Sequence, residues 1–210
     1  METATRLRVG RGIGQNETEA AVELWEHIKQ RDAHQDCPPP VLSDGWGGHR
    51  EALLEVYGQV PAYTGRGRPP TRKQPSDEWH YTQMVKQHDT QGHFLGVNIR
   101  VIYGDETTLD LTGEHTAYIE RTNLTSRHMN ARLTRKTLGF SKHLEMLRAS
   151  SMWEDMVYNL TRPVKTLRRE VNDGQRRWLP QSPAMKAGLT DHVWSIRELL
   201  TRLPVPTNSI

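Results

Sequence analysis

Cysteine is almost absent from this 210-residue chain, in which Cys37 stands alone. A single thiol builds neither a disulfide framework nor the paired thiolates of a structural zinc site, so burial and hydrogen bonding must hold the fold. Phenylalanine is scarce as well, with 2 residues, although 6 Trp and 6 Tyr supply aromatic bulk. No apolar run approaches the roughly 20 residues that cross a bilayer. The opening METATRLRVG lacks the apolar core of a signal peptide. The expected location is the cytoplasm, with no membrane partner. Hydrophobic residues make up 35% and mean hydropathy is -0.75, which is polar for a globular protein. Enough Leu, Val, Ile and Trp remain to exclude a wholly disordered chain.

Charge is nearly balanced in total, at +3, and uneven in placement. Between Glu120 and Arg148 there are 7 Lys/Arg against 2 Glu, and residues 65–75 hold 4 basic residues and no acid. Such runs form either a solvated face or loop, or a surface that tracks phosphates, and both readings stay open at this point.

Periodicity divides the chain into strands and helices. Residues 5–14, TRLRVGRGIG, read as a strand ending in a Gly-rich stretch. Asn16 has the form of an N-cap, with Glu19 completing a capping box. Ala21, Leu24, Trp25 and Ile28 follow at helical spacing. PVLSDG predicts a short apolar strand ending on Asp44, and residues 49–57 predict a helix. Residues 65–75 form a Gly/Pro/Arg-rich loop. Residues 79–86 and 94–103 read as strands, the second with Leu95, Val97, Ile99 and Val101 alternating. Residues 114–136 predict the longest helix, a further helix includes 152–160, and 190–203 is amphipathic. Trp25, Trp153 and Trp194 fall on apolar stripes and are expected in the core. Strands with interspersed helices predict an α/β or α+β fold, of which α/β is the expectation, with one domain over residues 1–170 and a helical tail over 171–210.

Two acids stand out by position. Asp44 ends a short strand, and carboxylates at strand ends face the crevice where open α/β sheets bind ligands. Glu120, Asn123 and Arg127 lie at i, i+3 and i+7 and so share one helix face. An acid, an amide and a cation on one face suit a site that holds a divalent metal and a phosphodiester. Mg²⁺ takes hard oxygen ligands, and two ions roughly 3.5–4 Å apart stabilise both attacking and leaving oxygens. Simpler readings stand beside these: Asp before Gly is a usual turn residue, and Glu beside Arg a usual surface pair. Trp46, next to Asp44, either stacks on a base or fills a pocket. His80, His88 and His93 lack ligand spacing and read as surface or packing residues.

Several segments then occur in a telling order. TAYIERTNLTSR, RKTLGFSK and YNLTRPVKTLR, within residues 116–168, and the later SPAMKAGLTDHVW resemble the C-terminal half of insertion-sequence DDE transposases and integrases. The similarity runs from about residue 41 onward. It implies an RNase H-like mixed sheet flanked by helices, with the first core strand or strands missing or incomplete. It implies two-metal cleavage and strand transfer at insertion-element DNA ends, with Mg²⁺ or Mn²⁺ as cofactor, in a nucleoid-associated homo-oligomer. By position, the resemblance makes Asp44 the second Asp of the family's acidic triad and Glu120 its Glu, both metal ligands. Arg127 falls where the family places a DNA-contacting cation, and Arg121, Asn123, Arg135 and Lys136 would join it on DNA. The 76 residues from Asp44 to Glu120 leave room for the basic loop. There is one departure. The family's first Asp belongs just before a segment like TRLRVGRGIG, where only Met1 and Glu2 stand. The expectation is a truncated core whose first ligand lies upstream and whose chemistry is impaired; the other possibility is that Glu2 stands in. A non-catalytic DNA-binding or dimerising remnant that modulates full-length transposase is the second reading.

Overall fold

Asn16 starts the first helix as its spacing predicts. Its side-chain oxygen accepts from the Glu19 N–H at 2.9 Å, while Glu19 takes the Gln15 N–H at 2.9 Å. These contacts satisfy N–H groups that a helix start leaves without partners. The computed structural model describes residues 1–32, 34–105, 116–134, 136–171 and 174–202. The chain is a mixed α/β protein that divides into two compact units, Gly10–Ala117 and Met1–Val9 with Tyr118–Ile210.

In the first unit, α1 (Glu17–Lys29) is followed by β1 (Val41–Asp44), α2 (Gly48–Tyr57), β2 (Tyr81–His88) and β3 (Phe94–Tyr103). The strands form one sheet in the order β1-β2-β3. β1 runs parallel to β2, with Val41 opposite Tyr81 and Asp44 opposite Met84. β3 runs antiparallel to β2. α2 is the crossover that a parallel pair requires. Asp89 closes the hairpin by accepting from the Gln91 and His93 N–H groups at 2.9 and 2.8 Å. Residues 65–75 form no regular element. The longer excursion around them is pinned at its base, where Gln59 and Gln74 exchange two backbone hydrogen bonds at 3.1 and 2.9 Å.

The apolar stripe of α1 packs where its period places it. Ala21 and Trp25 are buried with Ala52, Leu53, Tyr57, Trp79 and Tyr81 in one core. Trp79 is its centre, edge-on to Tyr57 at 6.3 Å and to Tyr103 at 5.6 Å. Such pairs add about 0.5–1.5 kcal/mol beyond area burial. Burial pushes the Tyr57 phenol up to about 12, because its oxygen is enclosed without a partner.

The second unit contains α3 (Ala117–Met129), α4 (Leu144–Met156) with a π-helical turn over Val157–Thr161, and the short helices α5 (Pro183–Lys186) and α6 (Ile196–Arg202). A two-residue ladder, β4 (Arg169–Glu170) with β5 (Trp178–Leu179), completes it. Its interior is unusually polar. Arg8 Nη1 donates to Glu154 Oε1 at 2.6 Å and to Asp155 Oδ1 at 2.9 Å, and the Arg8 guanidinium lies 4.0 Å over the Tyr158 ring.

Several elements differ from expectation. Residues 5–14 form no strand: Thr5 belongs to a turn and Arg6 has a left-handed φ of 61°. Asn159 supplies the ladder bonds at Arg8 instead: its side chain accepts from the Arg8 N–H and donates to the Arg8 carbonyl, both at 3.0 Å. A Cβ on Gly12 would collide with the Ala20 carbonyl and one on Gly14 with Glu19. These glycines serve close approach to the α1 backbone rather than a sheet. The long helix expected to residue 136 stops at Met129, because Asn130 turns its side chain onto the Arg132 N–H at 3.1 Å and caps a new short turn. The helix expected to include residues 152–160 does so, as α4 with its π-helical turn, and it begins eight residues earlier, at Leu144. Trp153 lies on its outer side with 37% exposure, so it is not a core residue.

Candidate functional site

Asp44 occupies the C-terminal end of β1, and four hydrogen bonds fix the turn that follows it. Ser43 Oγ reaches the Asp44 carbonyl at 2.8 Å and the Tyr81 hydroxyl at 2.9 Å. Gln83 Nε2 donates to the Tyr81 hydroxyl at 2.7 Å and to the Trp46 carbonyl at 3.4 Å. Burial raises the Tyr81 phenol, against the lowering effect of its bonds to Ser43 and Gln83, so it stays protonated and available as a donor. The network is buried and ties the Asp44–Trp46 turn to β2. Gly45 follows Asp44 in the turn, and its φ is not left-handed. The actual constraint is contact, since an added Cβ would lie 3.0 Å from the Val85 side chain.

The carboxylate itself is half engaged. Asp44 Oδ1 accepts the Trp46 N–H at 3.2 Å. Asp44 Oδ2 has no hydrogen-bond partner among the described residues. That oxygen is free to take a cation or a donor.

Asp44 lines a cleft of about 460 Å³. Ala20, Ala21 and Leu24 of α1 give it an apolar side, and Trp46 and His49 form another. The two rings meet edge to face, with centroids 5.1 Å apart and planes at 85°. Glu17, exposed in the first turn of α1, is a second carboxylate on the lining. Burial pushes the His49 imidazole below its ordinary value, with nearby Asp44 opposing it. The ring is therefore neutral at pH 7, and its Nδ1 is buried without a partner. Glu17 and His49 had no signal of their own in the sequence. Each belongs to a helix whose stripe is defined by apolar neighbours, and only the packing of α1 beside the β1–α2 turn brings them to Asp44.

Glu120 and the basic residues lie in the other unit. Thr122, Ser126 and Asn130 are buried at i, i+4 and i+8. Glu120, Arg121 and Asn123 are exposed, and Arg127 is half-buried. The expected common face of Glu120, Asn123 and Arg127 follows from the helix running unbroken through all three. Arg127 also ends the helix structurally, since its carbonyl accepts from Thr134 Oγ1 at 3.1 Å. Lys136 is exposed, at a left-handed φ of 57°. Arg135 lies outside the described residues.

Glu2 is engaged locally. Its carboxylate accepts from the Ala4 N–H at 2.8 Å, the Thr5 N–H at 2.7 Å and the Thr5 hydroxyl. Burial raises its pKa, but these hydrogen bonds outweigh it and hold the carboxyl below its ordinary value. Among the described residues, no group of three or more His, Cys, Asp and Glu is arranged to hold a metal ion. No helix among them is long and apolar enough to cross a membrane. Compared with protein-family models, curated proteins and solved structures, the chain matches none.

Proposed function

We propose that this chain is a DDE-type DNA transposase core that acts on insertion-element ends. The carrying observation is the placement of Asp44: a carboxylate at the C-terminal end of a strand, parallel to its neighbour through a helical crossover, with one oxygen open. That is where α/β sheets bind ligands, and it agrees with the motif resemblance that makes Asp44 the second acid of the triad. In an RNase H-like sheet, β1, α2 and β2 would be the parallel half, with β3 as an antiparallel addition. Asp44 and Glu120 would be Mg²⁺ or Mn²⁺ ligands. The metal would supply Lewis-acid stabilisation of attacking and leaving oxygens. Arg127, Arg121, Asn123, Arg135 and Lys136 would meet the phosphate backbone, and their charge would make binding strongly salt-dependent.

A second reading, a DNA-binding or dimerising protein without cleavage, is favoured by one observation. Glu2, the acid nearest the family's first Asp position, spends both oxygens on its own turn. The test is Mg²⁺-dependent cleavage of labelled element-end DNA by the parent, Asp44→Asn and Glu120→Gln. Cleavage by the parent alone supports the transposase. DNA binding without cleavage in all three supports the second reading, and no DNA binding sinks both.

A further inference from the structure

The cleft beside Asp44 has features that metal binding does not use. Its lining carries two carboxylates, one neutral imidazole and one indole, with no Lys or Arg. The side chains alone offer an anion no counter-charge, so without metal on Asp44 a bare phosphate is disfavoured as the occupant. The side made by α1 is apolar, and Trp46 with His49 forms a right-angled corner of two aromatic rings. A flat heterocycle can lie against such a corner and the aliphatic side together. Carboxylates accept hydrogen bonds and donate none, so the edge of that heterocycle must present N–H groups.

We infer that this cleft takes one unpaired nucleobase from DNA, stacked in the Trp46–His49 corner, with its N–H edge on Glu17. Guanine is the best match among the bases, because its adjacent N1–H and N2–H groups fit a single carboxylate side by side. Thymine fits worst, since its one N–H lies between two carbonyl oxygens that would face the acids. A guanidinium shares the charge preference but needs acceptors around five N–H groups. The cleft offers a flat apolar side where several of those acceptors would have to be. The inference rests on the DNA reading above and adds to it. Asp44 would meet the backbone through metal, while Trp46, two residues on, would hold a base drawn out of the stack. Unpairing costs a few kcal/mol, least where the base is already unpaired.

The test measures binding of the full chain to duplexes that carry a single bulged guanine, a bulged thymine or an abasic bulge. A 2-aminopurine bulge reports stacking through its fluorescence. The guanine bulge should bind about tenfold tighter than the abasic one, as expected for one stacked base. The 2-aminopurine should be quenched by the parent and by Trp46→Phe, and not by Trp46→Ala. Glu17→Gln should erase the preference for guanine over thymine. Equal affinity for all three bulges, with duplex still bound, overturns the inference and leaves the DNA reading standing. Binding of none of the DNAs overturns both. Displacement of the guanine bulge by arginine amide, with no loss of guanine preference in Glu17→Gln, also overturns it, in favour of a cation site.

Discussion

Asn159 brackets the peptide of Arg8, its carboxamide oxygen and nitrogen each 3.0 Å from the Arg8 N–H and carbonyl. One side chain thus gives residue 8 what a neighbouring strand would give, across 151 positions of sequence. Asn159 can do so because it sits in the π-helical turn Val157–Thr161, whose wider winding differs from the α-helix before it.

Replacing Asn159 tests that bracket. Asn159→Leu leaves a part-buried N–H and carbonyl without partners and should cost about 1–3 kcal/mol. Asn159→Asp keeps the acceptor, loses the donor, and should fall between the leucine variant and the parent. Urea denaturation of the three proteins checks the order. A leucine variant as stable as the parent would mean that water serves Arg8 equally well.

The Arg8–Glu154 pair has side chains only 4% exposed at both ends. Glu154→Ala removes one of the two carboxylates that Arg8 Nη1 meets and leaves Asp155 as its partner, so it should cost about 1.5–3 kcal/mol, as for one hydrogen bond between charged groups. The double change Arg8→Met with Glu154→Leu should recover part of that loss, because two buried charges lose their desolvation cost together while the more exposed Asp155 loses its partner. Thermal melting of single and double variants decides it, and a double variant no better than Glu154→Ala would count against the argument.

Gly12 tests close packing. Gly12→Ala places a methyl against the Ala20 carbonyl, which is helix backbone and cannot swing aside. A loss of about 1–3 kcal/mol is expected, typical of overpacking. Gly65→Ala is a useful contrast, since nothing lies within 4 Å of its added Cβ and only its left-handed φ of 79° opposes the change. Its cost should stay near 1 kcal/mol. Equal losses at the two positions would remove packing as the cause at Gly12.

Gln83 holds the turn after Asp44 through the Tyr81 hydroxyl and the Trp46 carbonyl. Gln83→Leu should cost about 1–3 kcal/mol, since it leaves the Tyr81 oxygen short of a donor. Hydrogen exchange at the Trp46 N–H should also quicken, because the turn loses its tether to β2. Unchanged protection at Trp46 would show that the Asp44 contact alone fixes the turn.

His192 predicts a pH dependence. Its ring meets Asp191 at 2.6 Å and Glu198 at 3.0 Å. Those hydrogen bonds, Asp191 first, raise its pKa above the ordinary 6.5. A raised folded-state value means that the stabilisation is fully present below pH 6.5 and is lost as pH rises through the higher folded value. Parent and His192→Asn should therefore differ at acidic pH and converge at alkaline pH. The NMR titration of the His192 ring checks the direction of the shift, and a midpoint at or below 6.5 would falsify it.

The local elements were legible in short stretches of the chain. The Asn16 cap, the Ala21–Trp25 stripe, the strand ending on Asp44 and the strand over residues 94–103 all depend on neighbours within a few positions, and each formed where the pattern places it, although Leu95 and Val97 of the last strand's apolar alternation stay exposed. What failed were inferences that needed a distant partner. Residues 5–14 pair with no strand, and the partner that Arg8 does have, Asn159, carries no mark in the sequence. Trp153 sits on an apolar stripe whose outer side nothing in its helix could reveal. Asp44 was legible as a strand-end acid because its neighbours are adjacent in sequence. Glu17 and His49 came to it only through the packing of α1 beside the β1–α2 turn, and the buried Arg8–Glu154 pair only through contact across 146 positions. Local hydrogen bonding and periodicity are written in short windows of sequence, whereas burial, desolvation and the pairing of charges belong to surfaces that exist only once the chain has folded.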